Sequence, residues 1–248
     1  MRDAGAVAAR RHAIPAWFAA DVTDVYPALG RDSGVSVTAY VAATLARAVA
    51  AQPRLHASRD ALGRVVTYAA VDVNATVEVT LDGRSFPMNH VLRDADTRSA
   101  HDLHAEMQAV KARPSASETA RLDRSTAWYL RVPGPLRRRV LMGSLHRLPD
   151  LQRRLIGTVG LSSVGMHGRG AGVGFPFLLH TLDVLVGGLD ERPGFDADGH
   201  VVPRHHLWVA LVVDHDVVDG VPMVRFMAAF RDGLESGAVL EHPGPATT

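Results

Sequence analysis

The residue best suited to proton transfer in this sequence is His215, which follows the apolar run 207–213 and precedes Asp219-Gly220. A buried strand presents such a side chain at its carboxyl end, where α/β proteins place reactive groups. Histidine changes charge near neutral pH and therefore suits general base catalysis. An ordinary structural histidine is the alternative, although the H-x-x-x-D-G spacing favours catalysis. Asp219 would then either orient the turn or cap the following helix.

Alternating strand and helix patterns predict that His215 belongs to one α/β domain covering residues 1–237, followed by a loose tail over 238–248. Ser36 is a candidate N-cap for the first helix. Apolar spacing and breaker residues predict helices over 36–51, 97–112 and 221–234. β-branched runs predict strands over 64–81, 157–164, 182–187 and 207–214, with a hairpin-type connection over 188–203.

Composition excludes several classes of protein. The chain has 248 residues, 47% hydrophobic and 21% charged, with no cysteine and a formal net charge of +1. It is too apolar for a disordered chain, and without cysteine it has no disulfides, zinc-thiolate sites or cysteine nucleophile. The near-neutral charge gives no reason to expect nucleic-acid binding. No stretch resembles a membrane span or a secretory signal, so we expect a cytoplasmic protein.

Residues 114–156 stand apart as a basic, partly apolar insertion. Its arginines include Arg137, Arg138 and Arg139. A basic amphipathic helix of this kind contacts a membrane surface, an anionic cofactor or a partner protein, or is simply a solvated face of a surface helix. The pattern alone leaves these alternatives open.

Several motifs together resemble one family. The stretch DHDVVDG (214–220) resembles the DHRVVDG motif of dihydrolipoamide acyltransferases, the core components of 2-oxo acid dehydrogenase complexes, and is similar to the HHxxxDG motif of chloramphenicol acetyltransferase. Four further segments resemble the acyltransferase family in the same order along the chain. They are 35–58, 91–107, 158–168 and 188–193. The resemblance implies a chloramphenicol acetyltransferase-like α/β fold, a two-layer sandwich of a mixed sheet and helices.

The resemblance also implies roles for three residues. His215 matches the histidine that removes a proton from the acceptor, Ser162 matches the serine that donates to the oxyanion, and Asp219 matches the acidic residue that supports the turn. It implies coenzyme A as co-substrate, with Arg137, Arg138 and Arg139 as candidates for contacts with its phosphates. In this family the histidine and the serine come from adjacent subunits, so we expect a homotrimer or a multiple of trimers.

Three departures from the family pattern are visible. The arginine of DHRVVDG is Asp216 here, which adds a negative charge beside His215. In the family an arginine usually pairs with the acidic residue that Asp219 matches. The candidates for that arginine here are Arg2, Arg10 and Arg11. No lipoyl domain precedes the catalytic part, and Lys111, the only lysine, lies in a helical pattern. We therefore expect no covalent lipoyl group on this chain, and a separate lipoyl or acyl carrier protein as a possible partner.

We predict an acyltransferase that moves an acyl group between coenzyme A and a thiol of the dihydrolipoamide type or a small hydroxyl acceptor. The alternative is a non-catalytic trimeric scaffold or regulatory paralogue of a 2-oxo acid dehydrogenase complex core. No metal is expected, because His101 and His104 lack an evident third ligand.

Overall fold

The computed structural model contains one large mixed sheet that carries the candidate residues. It describes residues 8, 11–30, 34–81, 83–114, 132–133, 136, 147–163 and 170–241. The strands are β1 Ala13–Asp21, β2 Ser58–Arg59, β3 Val65–Val66, β4 Val73–Leu81, β5 Arg84–Leu92, β6 Val159–Ser163, β7 Leu182–Phe195 and β8 Val201–Asp214. Six of them form a sheet in the order β1-β8-β7-β6-β4-β5, and β2 pairs with β3 in a separate hairpin.

Strand β6 is the parallel element of the sheet. It pairs in parallel with β4 on one side and with β7 on the other. The pairs β1/β8, β7/β8 and β4/β5 are antiparallel. The carboxyl ends of β6 and β8 therefore point in opposite directions. This separates Ser162, which lies near the end of β6, from His215, which follows β8.

Helices cover one face of the sheet. They are α1 Val37–Ala50, α2 Ala100–Ala112, α3 Pro149–Ile156, α4 Gly220–Ser236 and α5 Ala238–Glu241. Helix α1 is central: it packs against α2 and α4, and its Tyr40 hydroxyl donates to the Leu234 carbonyl of α4 at 2.7 Å. Phe18 of β1 meets Phe230 of α4 edge to face, with ring centroids 5.9 Å apart. This apolar contact packs β1 against α4.

Most predicted elements are present, with informative differences. The Ser36 hydroxyl accepts from the Ala39 N–H, as expected of an N-cap. The segment 188–203 was predicted to be a connection, but it is mostly strand, because β7 and β8 continue outward to a short turn around Asp196. The tail was predicted to be loose from residue 238, yet it begins with α5, whose Val239 is buried. Strands β1 and β5 were not predicted.

Among the described helices, none combines the length and the apolarity that a membrane crossing requires.

Candidate active site

His215 comes directly after β8, at the end of the sheet where β1 begins. Its backbone N–H donates to the His12 carbonyl at 2.8 Å, which continues the antiparallel β1/β8 ladder by one step. The imidazole is 48% exposed, in contrast to the buried residues that precede it in the strand. The sheet thus fixes the backbone while the side chain remains accessible to a substrate.

Asp214, the residue before His215, is buried and paired. Its carboxylate Oδ2 lies 3.2 Å from Arg11 Nη1, and its Oδ1 accepts from the Asp216 N–H at 3.1 Å. Burial raises the pKa of Asp214 above its ordinary value, against the opposing effect of the Arg11 charge. Arg11 also donates to the His180 carbonyl at 2.6 Å, so it joins the strand end to the neighbouring loop.

Asp216, which stands where the family motif has arginine, is neutralised by two basic groups. His12 Nδ1 lies 2.8 Å from Asp216 Oδ1, and Arg59 Nη1 lies 3.5 Å from Oδ2. The hydrogen bond from His12 lowers the pKa of Asp216, and the same bond raises the pKa of His12. The extra negative charge beside His215 is therefore compensated by these partners.

Asp219 occupies the N-cap position of α4, but its side chain forms no cap hydrogen bond. Its Oδ1 is 3.9 Å from His215 Nδ1, longer than a hydrogen bond. The side chain is 81% exposed. Of the candidate arginines, Arg11 pairs with Asp214 instead of Asp219, while Arg2 and Arg10 lie outside the described residues.

Ser162 lies near the end of β6 and lines a cavity of about 870 Å³. The apolar wall of this cavity includes Phe86, Pro87 and Met107, and its polar wall includes His104 and Lys111. The Ser36 N–H donates to His104 Nδ1 at 3.0 Å, and burial lowers the pKa of His104. The cavity therefore combines apolar surface with a few fixed polar groups, as ligand sites commonly do.

Within one chain, Ser162 and His215 do not meet. The strand register places Ser162 level with Leu185 and Ala210. His215 is five residues beyond Ala210, which is about 16 Å along the strand, and β6 and β8 are two strand spacings apart, about 10 Å. The two backbones are therefore separated by roughly 19 Å. A site that uses both side chains requires a second copy of the chain.

The basic insertion is described only in part. Arg137, Arg138 and Arg139 lie outside the described residues. Arg153 of α3 belongs to the structural framework, because its Nε donates to the fully buried Asp72 at 2.8 Å. The phosphate role that we predicted for the first three arginines stays a prediction.

One cluster in the described part of the chain has the side chains of a metal site. Ligand atoms of Asp196, Asp198 and His200 lie within 4.8 Å of one another in the turn between β7 and β8. Asp196 Oδ1 accepts from the N–H groups of Asp198 and His200 at 3.0 and 2.8 Å. These hydrogen bonds stabilise the turn and explain why the three side chains lie close together.

Sequence reasoning missed most of the residues that hold the His215 turn. Arg11 was considered only as a partner for Asp219, and His12 and Arg59 were not considered. Their contacts depend on β1 pairing with β8 and on the β2/β3 hairpin approaching the turn, and neither arrangement is visible in the local sequence. An antiparallel partner for β8, had it been recognised, would have drawn attention to residues 11–12.

Comparison with known proteins finds similarity in the C-terminal part of the chain. Residues 155–241 match the family model "2-oxoacid dehydrogenases acyltransferase (catalytic domain)". The lipoamide acyltransferase component of the branched-chain alpha-keto acid dehydrogenase complex of Arabidopsis thaliana is 29% identical over 84 residues, 34% of this chain. That match covers 17% of the Arabidopsis protein, so the chain corresponds to a small part of this relative.

Similarity to solved structures extends over nearly the whole chain. The dihydrolipoamide acetyltransferase of Azotobacter vinelandii superimposes with a TM-score of 0.67 at 16% identity, covering 96% of this chain and 88% of that one. A chloramphenicol acetyltransferase superimposes with a TM-score of 0.56 at 14% identity, covering 94% of each chain. These matches confirm the predicted fold. The chain therefore has the chloramphenicol acetyltransferase-like fold, and its residues 155–241 are similar to the catalytic domain of the 2-oxoacid dehydrogenase acyltransferases.

Proposed function

We propose that this protein is an acyltransferase that moves an acyl group from coenzyme A to a thiol of the dihydrolipoamide type or to a small hydroxyl acceptor. The observation that carries the proposal is the position of His215, half-exposed on a backbone fixed by β1, within the segment that matches the acyltransferase family. The similar Azotobacter vinelandii enzyme was studied for the role of a serine, a histidine and an asparagine in its catalytic mechanism. Here Ser162, His215 and Asp219 are the proposed equivalents.

The proposed reaction begins with proton transfer. His215 takes the proton from the acceptor S–H or O–H, and the resulting nucleophile attacks the carbonyl carbon of the acyl thioester. A thiol gains from this help because only a few per cent of it is thiolate at neutral pH. The carbonyl π electrons move onto oxygen, and the Ser162 hydroxyl donates a hydrogen bond to that oxyanion. One donor of this kind contributes about 3 kcal/mol.

The tetrahedral intermediate then collapses. The carbonyl re-forms, the C–S bond to coenzyme A breaks, and the departing thiolate receives the proton held by His215. The products are the acylated acceptor and free coenzyme A. Every proton that His215 accepts is returned, so the imidazole ends the cycle in its starting state. Asp219 is proposed to support the turn in the assembled protein.

The active unit is proposed to be a homotrimer or a multiple of trimers. The separation of about 19 Å between the Ser162 and His215 backbones supports a site shared between copies, because no single chain brings the two together. The cavity that Ser162 lines, about 870 Å³, is large enough for the reacting end of an acyl thioester. We place the thioester donor there, with the acceptor approaching from the side of His215.

The runner-up is a non-catalytic trimeric scaffold or regulatory paralogue. The observation that favours it is the side chain of Asp219, which stays 3.9 Å from His215 Nδ1 and forms no cap bond in the isolated chain. The accessible His215 imidazole and the cavity beside Ser162 favour the enzyme.

An acyl-transfer assay separates the two functions. A panel of acyl-CoA donors is incubated with dihydrolipoamide and with hydroxyl acceptors, and products are detected by mass spectrometry. We expect an acylated product with the wild type, its loss with His215→Ala, and a decrease in kcat on the order of 100-fold with Ser162→Ala. A wild-type assembly of trimers that forms no product with any donor supports the scaffold.

The phosphate role of the basic insertion has its own test. Replacing Arg137, Arg138 and Arg139 together by alanine is expected to raise the KM for acyl-CoA while leaving that for the acceptor unchanged. An unaltered KM for acyl-CoA would remove these arginines from the proposal.

A further inference from the structure

Two adjacent residues of the N-terminal segment, Arg11 and His12, contact the chain on both sides of His215. We propose that they form a clamp that positions the His215 imidazole, Arg11 through Asp214 and His12 through its own carbonyl and through Asp216. This inference rests on the proposed function of His215. It adds residues 11–12 to the groups that support the turn, and they are positioning residues because they act through the backbone of the turn.

The Arg11 half of the clamp fixes the residue before His215. The Arg11 side chain is partly buried, and its Nη1 donates to the His180 carbonyl and lies 3.2 Å from the Asp214 carboxylate. The Asp214 N–H donates to the Thr181 carbonyl at 2.9 Å. Its carbonyl accepts from two N–H groups, those of Val217 and Val218, at 3.1 and 3.0 Å. Every polar group of Asp214 is thus engaged.

The His12 half fixes His215 itself and the residue after it. The His12 carbonyl accepts from the His215 N–H at 2.8 Å, and the His12 ring lies 2.8 Å from the Asp216 carboxylate. Arg59 approaches the second carboxylate oxygen from the β2/β3 hairpin at 3.5 Å. The backbone is therefore held at three successive residues, 214 to 216. The 48% exposed imidazole of His215 extends from this backbone.

The burial of the Arg11–Asp214 pair makes the clamp sensitive to the loss of either partner. The two side chains are only 16% and 6% exposed. Removing one partner from a buried pair leaves a charge without compensation, and nearby chain then moves to solvate it. That movement would occur at the residue attached to His215. A displacement of about 1 Å at a catalytic group can lower a rate on the order of 100-fold.

The test compares Asp214→Asn, Arg11→Met and the double variant with a matched control, Asp72→Asn. Asp72 is another fully buried aspartate bound to arginines, but it precedes β4 and contacts α3 instead of the His215 turn. The first readout is kcat and KM for acyl transfer, normalised to folded protein. The second is the NMR signal of the His215 ring, assigned by its absence in His215→Ala.

We expect each single clamp variant to lower kcat by roughly 10- to 100-fold with little change in KM, and to broaden or shift the His215 signal. The double variant should lose no more than the worse single variant, because the pair acts as a unit. Arg11→Lys, which keeps the charge, should recover part of the rate. The control should leave both readouts at the wild-type value.

Folded clamp variants with wild-type kcat and an unchanged His215 signal would overturn the proposal. So would equal effects in Asp72→Asn, since they would show a general loss of stability. If the wild type transfers no acyl group, the proposed function fails while the NMR comparison still decides whether the clamp positions the ring.

Discussion

Replacing Asp72 by asparagine is expected to destabilise the protein without altering its chemistry. Asp72 is fully buried and accepts hydrogen bonds from Arg93 Nη1 at 3.0 Å, Arg153 Nε at 2.8 Å and the Asp94 N–H at 3.0 Å. It thereby attaches α3 to the sheet. Both arginines are about one-third exposed, so water solvates them after the change and the cost lies at the lower end for a broken buried pair, about 3 kcal/mol.

That cost corresponds to a melting temperature lower by about 6–12 °C for a chain of this size. The assay is thermal unfolding followed by circular dichroism, together with the KM for acyl-CoA measured well below the transition. The KM should be unchanged, because Asp72 holds Arg153 in the wild type and Arg153 therefore makes no phosphate contact that the substitution could remove. A variant that melts within about 2 °C of the wild type would refute the structural role given to this group.

The pH dependence of the same variant provides a second check. Burial alone would raise the pKa of Asp72, but the hydrogen bonds from Arg153, the Asp94 N–H and Arg93 bring the pKa below its ordinary value. A carboxyl whose pKa is lower in the folded state contributes stability above its unfolded pKa, about 3.9, and loses it as the pH falls through the folded pKa. The difference between wild type and variant should therefore be constant near neutrality and shrink only in acid.

Two further predictions concern single contacts. The bond to Asp216 raises the pKa of His12, so NMR titration should place the His12 pKa above about 6.5, and Asp216→Asn should return it toward that value. The contact is lost as the pH rises through the folded pKa of His12. An unchanged His12 titration in the variant would contradict the prediction. Burial raises the pKa of Tyr40 to about 12, so the native state should lose stability as the pH rises above about 10. Tyr40→Phe should reduce that alkaline loss, and burial of Tyr68, whose pKa is also raised, accounts for the remainder. The variant should also cost about 1 kcal/mol at neutral pH in a urea titration, because the Tyr40 hydroxyl donates to the Leu234 carbonyl. An alkaline loss of the same size as in the wild type would contradict the assignment.

The fold could be predicted from the sequence where elements have a strong local signal. The N-cap at Ser36 and the apolar run before His215 gave the first helix and the end of β8 correctly. Strand β1 was missed because alanine occupies four of its nine positions and proline one, both of which are depleted in strands. Its pairing with β8 also joins residues about 200 positions apart. The outer part of the β7/β8 hairpin was missed because glycine, proline and aspartate there indicate a loop.

The sequence predicts which residues are candidates for the site, but not how they are arranged in space. His215 and Ser162 were identified from motifs, but their separation in one chain follows from β6 being parallel to β7 while β8 is antiparallel to it. The partner of Arg11 was also out of reach. A sequence match suggests an arginine for Asp219, whereas packing at the end of the sheet brings Arg11 to the buried Asp214.

Complementation between two inactive variants tests the central claim most directly, namely that acyl transfer occurs at a site shared by His215 of one copy and Ser162 of another. Purified His215→Ala and Ser162→Ala chains are dissociated, mixed in equal amounts and reassembled, and the mixed trimers are confirmed by native mass spectrometry. With random assembly, about a quarter of the sites combine an intact histidine with an intact serine, so about a quarter of the wild-type activity should return. Mixed trimers no more active than the separate variants would contradict the account.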